Sequence, residues 1–314
     1  MGGYMLYFIV NEKSKSGNAK QIWKEIEEVL KVRNVSYQAF VSEYRGHAGK
    51  LATEICAMDD NDICLVAVGG DGTANEVING ITDFEKVRFG VIPTGSGNDL
   101  ARGLSLSKDP KNGAIHILNA MKKSREDTWC MDLGEVNFGE KKRLFAISAG
   151  IGLDALVCKK ALKSTIKDIL NKIRLGKLTY LVLTVQSLFT MQTADAEIFF
   201  DREEGLQKKR MIFTAAMNFK AEGGGVPMAP AASACDGKLS FCEAAGIPKW
   251  RTFLCLPFLV AAKHTSIHGF SVTDAKDCTI RLSRPMVVHA DGEYCGEVTE
   301  VHFHCLPGKL RVLK

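Results

Sequence analysis

The chain is short of the features that identify a function most quickly. Its ten cysteines are scattered and form no C-x-x-C pair, which excludes a zinc ribbon and a dithiol redox centre. No G-x-x-x-x-G-K-[ST] run occurs, so there is no P-loop. G-x-G-x-x-G fails as well, because the third position after Gly95 and Gly97 is Leu100. Protein-kinase signatures, low-complexity tracts and repeats of roughly 20–50 residues are absent. No apolar run reaches the ~20 residues of a membrane-spanning helix: Tyr4–Val10 is far too short, and Leu178–Met191 and Phe253–Ala262 are too short or too polar. No basic leader precedes the first apolar run, so the expectation is a cytoplasmic protein with free thiols, soluble or peripheral to a membrane. Of seven histidines, only His302 and His304 have a ligand-like spacing. With no third ligand evident, they read as surface histidines on one strand. A net charge of +5 is a mild lysine excess, and no nucleic-acid partner is expected.

What is present is an ordinary globular composition, 46% hydrophobic and 25% charged, in a chain of 314 residues, comfortable for two domains. The first part alternates strand and helix signals: strands at Met5–Val10, Tyr37–Val41, Ile63–Val68 and Phe89–Ile92, and helices over Ile22–Leu30, His47–Met58, Asn75–Ile81, Asp99–Leu104 and Ala114–Lys123. That rhythm implies an α/β domain around a mainly parallel sheet. After the polar linker Lys122–Asp127 short strands predominate, among them Arg143–Ser148, Met211–Met217, Cys278–Ser283, Met286–His289, Val301–Cys305 and Leu310–Leu313, with helical interruptions at Ala155–Thr190 and Trp250–Lys263, implying a β-sandwich or barrel. The expected domains are 1–127 and 128–304.

Three polar, glycine-containing loops each follow a strand of the first domain: Asn11–Gly17, Gly69–Glu76 and Pro93–Asp99. Carboxyl ends of strands in open α/β sheets are where ligands bind, and exposed N–H groups at a helix start favour phosphate. One such loop alone reads as a tight turn; three at one sheet edge favour a phosphate cradle over three coincident turns.

The run Gly69-Gly70-Asp71-Gly72-Thr73-Ala74-Asn75-Glu76-Val77, with Asn79-Gly80, resembles the G-G-D-G-T-x-N-E-V-x-N-G signature of the diacylglycerol kinase catalytic-domain family, which includes soluble bacterial diacylglycerol kinases and sphingosine and ceramide kinases. Gly95–Arg102, Met131-Asp132-Leu133-Gly134, Asp236-Gly237-Lys238-Leu239 and Asp291-Gly292-Glu293-Tyr294 resemble further segments of that family, in its order. The resemblance implies an ATP-binding α/β domain, a β-sandwich domain with an apolar cleft for lipid, and a C-terminal segment, about 305–314, that returns to the first domain. It implies a lipid kinase using ATP and Mg²⁺, with diacylglycerol as first substrate. Sphingoid bases, ceramide and polyprenols are alternatives, as is an NAD kinase-like activity on a related fold.

By the same resemblance, ATP is held by Asn11, Ser16, Gly17, Ser42, Gly70, Asp71, Gly72, Thr73, Ala74, Asn75, Glu76, Thr94 and Ser96. The first loop departs from the family pattern, with Glu12 in place of proline and two extra residues. Asp71, Asp99 and Asp132 would stand around catalytic Mg²⁺, and Glu293 would be the general base, with Asp71 as its rival. Ser233, Asp236 and Lys238 match a structural Mg²⁺ loop, for which a simple Asp-Gly turn is the alternative. The basic run Lys159–Lys177, with Lys13, Lys15 and Arg102, would dock on an anionic membrane carrying the lipid substrate. A homodimer stays open.

Overall fold

Continuous apolar runs become the central strands of a parallel sheet. The computed structural model describes residues 5–14, 19–163, 176–201 and 204–314, without the side chains of 162, 163 and 176–180. The chain divides into two units, Met1–Asp132 with Gly308–Lys314, and Leu133–Pro307.

In the first unit β1 (Met5–Val10), β2 (Tyr37–Val41), β3 (Ile63–Gly69) and β4 (Val87–Pro93) pair in parallel in the order β2-β1-β3-β4. Every residue of β3 and β4 is buried, as strands covered on both faces require. Helices α1 (Ala19–Val32), α2 (His47–Cys56), α3 (Asp71–Gly80), α4 (Asp99–Gly103) and α5 (Pro110–Ala120) follow the strands. Trp23, Ile26 and Leu30 of α1 and Ile117 of α5 pack against Phe8, Val66 and Val68 of the sheet. The C-terminal segment completes the sheet: Arg311 and Val312, at the end of β14 (Glu293–Val312), pair in parallel with Arg88 and Phe89 of β4. Arg88 is fully buried, yet its guanidinium meets Asp62 through two bonds of 2.9 and 2.7 Å and donates to the carbonyls of Met121 and Lys123. One buried charge thus ties the start of β3 to the end of α5.

The second unit is antiparallel. Its strands are the remainder of β5 (Trp129–Phe138), then β6 (Lys141–Phe145), β7 (Ser148–Gly152), β8 (Ala194–Phe200), β9 (Leu206–Met211), β10 (Phe213–Met217), β11 (Leu239–Ala244), β12 (Phe270–Ala275) and β13 (Asp277–Ala290). The principal order is β12-β11-β10-β7-β13-β14. Strand β13 changes neighbour at a register shift around Pro285: Cys278–Leu282 lie against β8, and Val288–Ala290 against β7. A proline has no ladder N–H to give, so the break falls there. Helices α6 (Leu153–Lys163), α7 (Gly176–Thr190) and α8 (Lys249–Val260) interrupt the strands.

Several boundaries differ from the sequence expectation. Helix α3 starts at Asp71, inside the glycine-rich loop, because first-turn amides need no intrahelical partner and a glycine there costs little. The expected strand Arg143–Ser148 is two, β6 and β7. Met211–Met217 is also two, β9 and β10, separated at Ile212. Strand β12 was not expected, and the four expected C-terminal strands are the two long strands β13 and β14.

Candidate active site

At the carboxyl ends of β3 and β4 two glycine loops lie backbone against backbone. The Thr94 N–H donates to the Gly69 carbonyl at 2.8 Å. A Cβ on Gly95 would stand 2.7 Å from the Gly70 Cα and 2.9 Å from Asn98 Oδ1, so only glycine fits. Asn98, itself left-handed at φ 53°, closes the second loop, accepting from the Gly95 N–H and donating to the Gly95 carbonyl at 2.9 Å each. The two loops are then joined by one carboxylate. Asp71 Oδ2 accepts from the Asp99 N–H and Oδ1 from the Leu100 N–H, both at 3.1 Å. Asp71, the first residue of α3, therefore also holds the amino end of α4.

The loop after β1 joins the same network. Asn11 donates through Nδ2 to Thr73 Oγ1 at 3.0 Å, and Ser14 Oγ bonds Thr94 Oγ1. Thr73, Asn75, Thr94 and Ser42 are buried, whereas Ser96 is exposed. Asn75 accepts from Asn79 Nδ2, and Glu76 Oε1 accepts from the Gly46 N–H at 2.8 Å. Gly80 closes the motif for a packing reason: a Cβ there would lie 2.1 Å from the Gly49 carbonyl oxygen of α2. Gly70 precedes α3 without a side-chain cap, so the helix start presents backbone N–H groups, with Gly72 and Ala74 in its first turn. Ser16 and Gly17 lie outside the described residues.

Asp99 is buried and paired with Arg102, whose other nitrogen donates to the Gly97 carbonyl at 3.0 Å. Asp71 Oδ2 and Asp99 Oδ2 lie 3.0 and 3.8 Å from where a Cβ on Gly97 would stand. Asp132, buried on β5, accepts from the Gly308 N–H at 2.7 Å. The oxygens of Asp71, Asp99 and Asp132 do not all converge within 4.8 Å of one another.

In the second unit β13 and β14 are joined by the two-residue turn Asp291-Gly292, with φ of 48° and 80°, the signature of a type I′ hairpin. Glu293 is the first residue beyond it, half-buried. The Asp291 carboxylate accepts from the backbone N–H groups of Ala146 and Ile147, each at 2.8 Å, and of Ser148 at 3.1 Å, fixing the turn against the start of β7. Beneath it lies a cluster that the sequence did not mark. Buried His289 donates through Nε2 to Asp154 Oδ2 at 3.0 Å and accepts at Nδ1 from the Gly292 N–H at 3.2 Å. Glu222 bonds Ser148 Oγ and completes a group with Asp154 and His289. Burial pushes the His289 imidazole down. The bond to Asp154 and the charges of Asp154, Glu222 and Asp291 outweigh it and hold the proton above the ordinary histidine range.

Three other sequence readings meet the structure here. His302 and His304 do share a face, but a third group is present: Asp277 Oδ1 lies 3.3 and 2.7 Å from them, brought in from the neighbouring strand. Asp236 forms an Asp-Gly turn, its Oδ1 accepting from the Lys238 N–H at 3.1 Å with Gly237 at φ 76°; Ser233 bonds Cys235. Of the basic run, the side chains of Lys159 and Lys160 alone are described. Lys159 pairs with Glu297 and lies 5.0 Å from the Tyr294 ring centroid. Lys15 also lies outside the described residues, and no helix among those described is long and apolar enough to cross a membrane.

Comparison with known proteins agrees with this arrangement. Residues 5–131 match the family model described as the diacylglycerol kinase catalytic domain, and residues 148–314 match that of the YegS C-terminal NAD kinase beta sandwich-like domain. A Bacillus subtilis protein named "Putative lipid kinase YtlR" is 30% identical over 98% of both chains. A diacylglycerol kinase of the same organism is 28% identical over 80% of this chain and 76% of its own. Among solved structures, a Bacillus anthracis protein titled a putative diacylglycerol kinase superposes with a TM-score of 0.77 at 21% identity, covering 99% of this chain and 97% of its own. An NAD kinase from Archaeoglobus fulgidus in complex with ATP shares the fold more distantly, with a TM-score of 0.54 at 14% identity, covering 99% and 94%.

Proposed function

The chain belongs to the diacylglycerol kinase catalytic-domain family, a family of lipid kinases, and from that premise we propose that it transfers the γ-phosphoryl group of ATP to the hydroxyl of diacylglycerol, yielding phosphatidic acid and ADP. The observation that carries the reading is the double use of Asp71: one carboxylate locks two glycine loops at adjacent strand ends. Phosphoryl transfer needs positioning and charge neutralisation more than covalent chemistry, and a rigid cradle of backbone amides supplies both.

In this reading Asn11, Ser42, Gly70–Glu76, Thr94 and Ser96 hold the nucleotide, with Ser16 and Gly17 in the same loop as Asn11. The carboxylates fit a hydrated Mg²⁺, because Asp71 Oδ2 and Asp99 Oδ2 flank Gly97 and the ion takes few carboxylates and keeps its waters. Bound there, with Asp132 acting through water, it would neutralise phosphate charge. The base is Glu293 rather than Asp71, since Asp71 is committed to the loop lock and to the ion while Glu293 stands at a turn fixed by Asp291. A carboxylate base works here by taking the lipid hydroxyl's proton as phosphorus is attacked.

Labelled ATP with dispersed diacylglycerol tests this. Glu293→Gln is expected to reduce turnover by roughly 10²–10⁴-fold, the usual contribution of a general base, and to leave ATP binding unchanged. Turnover of Glu293→Gln at the wild-type rate would remove Glu293 from the mechanism.

A further inference from the structure

Helix α8 presents its apolar residues to solvent. Trp250, Phe253, Leu254, Phe258 and Val260 are 60, 40, 56, 49 and 65% exposed, while Thr252, Cys255 and Leu259 on the opposite side are buried. At about 100° per residue the five exposed side chains fill one arc, with Lys249 and Arg251 at its two borders. Helix α7 extends the surface: Phe189, 51% exposed, lies 6.0 Å ring to ring from Phe253. Lys249 Nζ donates to the carbonyls of Phe189 and Met191, fastening the two helices together. Single exposed apolar residues are ordinary, but a contiguous patch of this kind marks an interaction site.

Charge identifies the partner. No Asp or Glu occurs from 244 to 273, where α8 lies, nor in α7 itself. The basic residues around α8 are Lys249, Arg251 and Lys263. An apolar arc carrying tryptophan and phenylalanine, bordered by cations and free of acids, is the chemistry of a helix lying in the headgroup layer of an anionic bilayer. A second copy of the same surface would set like charges against one another.

We propose that the outward face of α8, with Phe189 of α7, is the surface by which this protein docks on anionic membranes. The idea rests on the lipid-kinase reading only for its purpose; the contact itself is independent of catalysis. Trp250 would sit among the upper acyl carbons, with Arg251 at headgroup level.

The test uses the full chain with vesicles of phosphatidylcholine, alone or with phosphatidylglycerol. The wild type is expected to co-sediment with the anionic vesicles, and to lose Trp250 fluorescence when the lipids are brominated. Trp250→Ser/Leu254→Ser, checked for fold by circular dichroism, is expected to lower partitioning roughly tenfold or more, since two large apolar side chains leave the bilayer. Activity on a soluble short-chain diacylglycerol should stay unchanged in that variant while activity on vesicle-borne substrate falls. Undiminished vesicle binding by the variant would overturn the proposal, as would wild-type dimerisation abolished by the same substitutions without vesicle binding. Failure of the wild type to phosphorylate the short-chain substrate would instead count against the kinase reading and leave the docking result standing.

Discussion

Asp71→Asn tests the loop lock directly. The asparagine oxygen can replace one acceptor, but its amide nitrogen is a donor and must face the other backbone N–H, of Asp99 or of Leu100. A hydrogen bond to a charged group contributes about 1.5–3 kcal/mol, and leaving a buried donor unpaired costs about 1–3 kcal/mol. Asp71 is half-buried, so water would partly satisfy the orphaned N–H, and a local loss of about 1–3 kcal/mol is expected. Amide hydrogen exchange read by mass spectrometry over residues 96–104 reports it. Each 1.4 kcal/mol is about tenfold, so exchange at the Asp99 and Leu100 amides should rise by roughly 5–150-fold. The apparent ATP affinity should weaken in parallel, because the cradle spends less time assembled. Unchanged exchange at both amides would refute the reasoning, whatever happened to activity.

Other consequences concern the frame around the site. Asp62→Ala takes the only carboxylate bonded to the buried Arg88 guanidinium among the described residues and is expected to cost about 3–5 kcal/mol in urea unfolding; a loss below about 1 kcal/mol would mean that water reaches Arg88. Asp291→Ala removes three backbone bonds and should lower kcat without changing the KM for ATP, since it disturbs Glu293 and not the nucleotide loops; equal losses in both would contradict that division. His289 is held above its ordinary value in the folded state, so its charged form stabilises the protein even though protonating Nδ1 gives up the bond from the Gly292 N–H. That contribution is complete below about pH 6.5 and is lost as pH rises through the folded value. The wild type should therefore lose stability relative to His289→Gln as pH is raised from 6.5 to 8, and a pH-independent difference between urea midpoints would sink the assignment.

Much of the glycine-loop region was legible because glycine, asparagine and aspartate at strand ends leave local signals. Gly69–Glu76 and Gly95–Asp99 could be read as loops, β1, β3 and β4 as buried strands, and β2 as the strand between β1 and β3 in sequence. What could not be read was partnership across the chain. That Asp71 bonds Asp99 and Leu100 depends on register between β3 and β4, and that Asp291 holds Ala146–Ser148 depends on β13 reaching β7. The His289–Asp154 pair left no spacing to detect, since its members come from a strand and a helix far apart in sequence. His302 and His304 showed the period of a strand, but their neighbour Asp277 belongs to the next one. The start of α3 was missed for a related reason: helix propensity argues against a helix opening on Asp-Gly, whereas capping physics permits it.

The central claim is that this fold phosphorylates a lipid hydroxyl from ATP. One measurement addresses it: the purified protein is given γ-labelled ATP with diacylglycerol and NAD together, and the labelled product is identified by mass. The account predicts labelled phosphatidic acid, and loss of that label in Asp71→Ala. Label on NADP, with the diacylglycerol untouched, would contradict it.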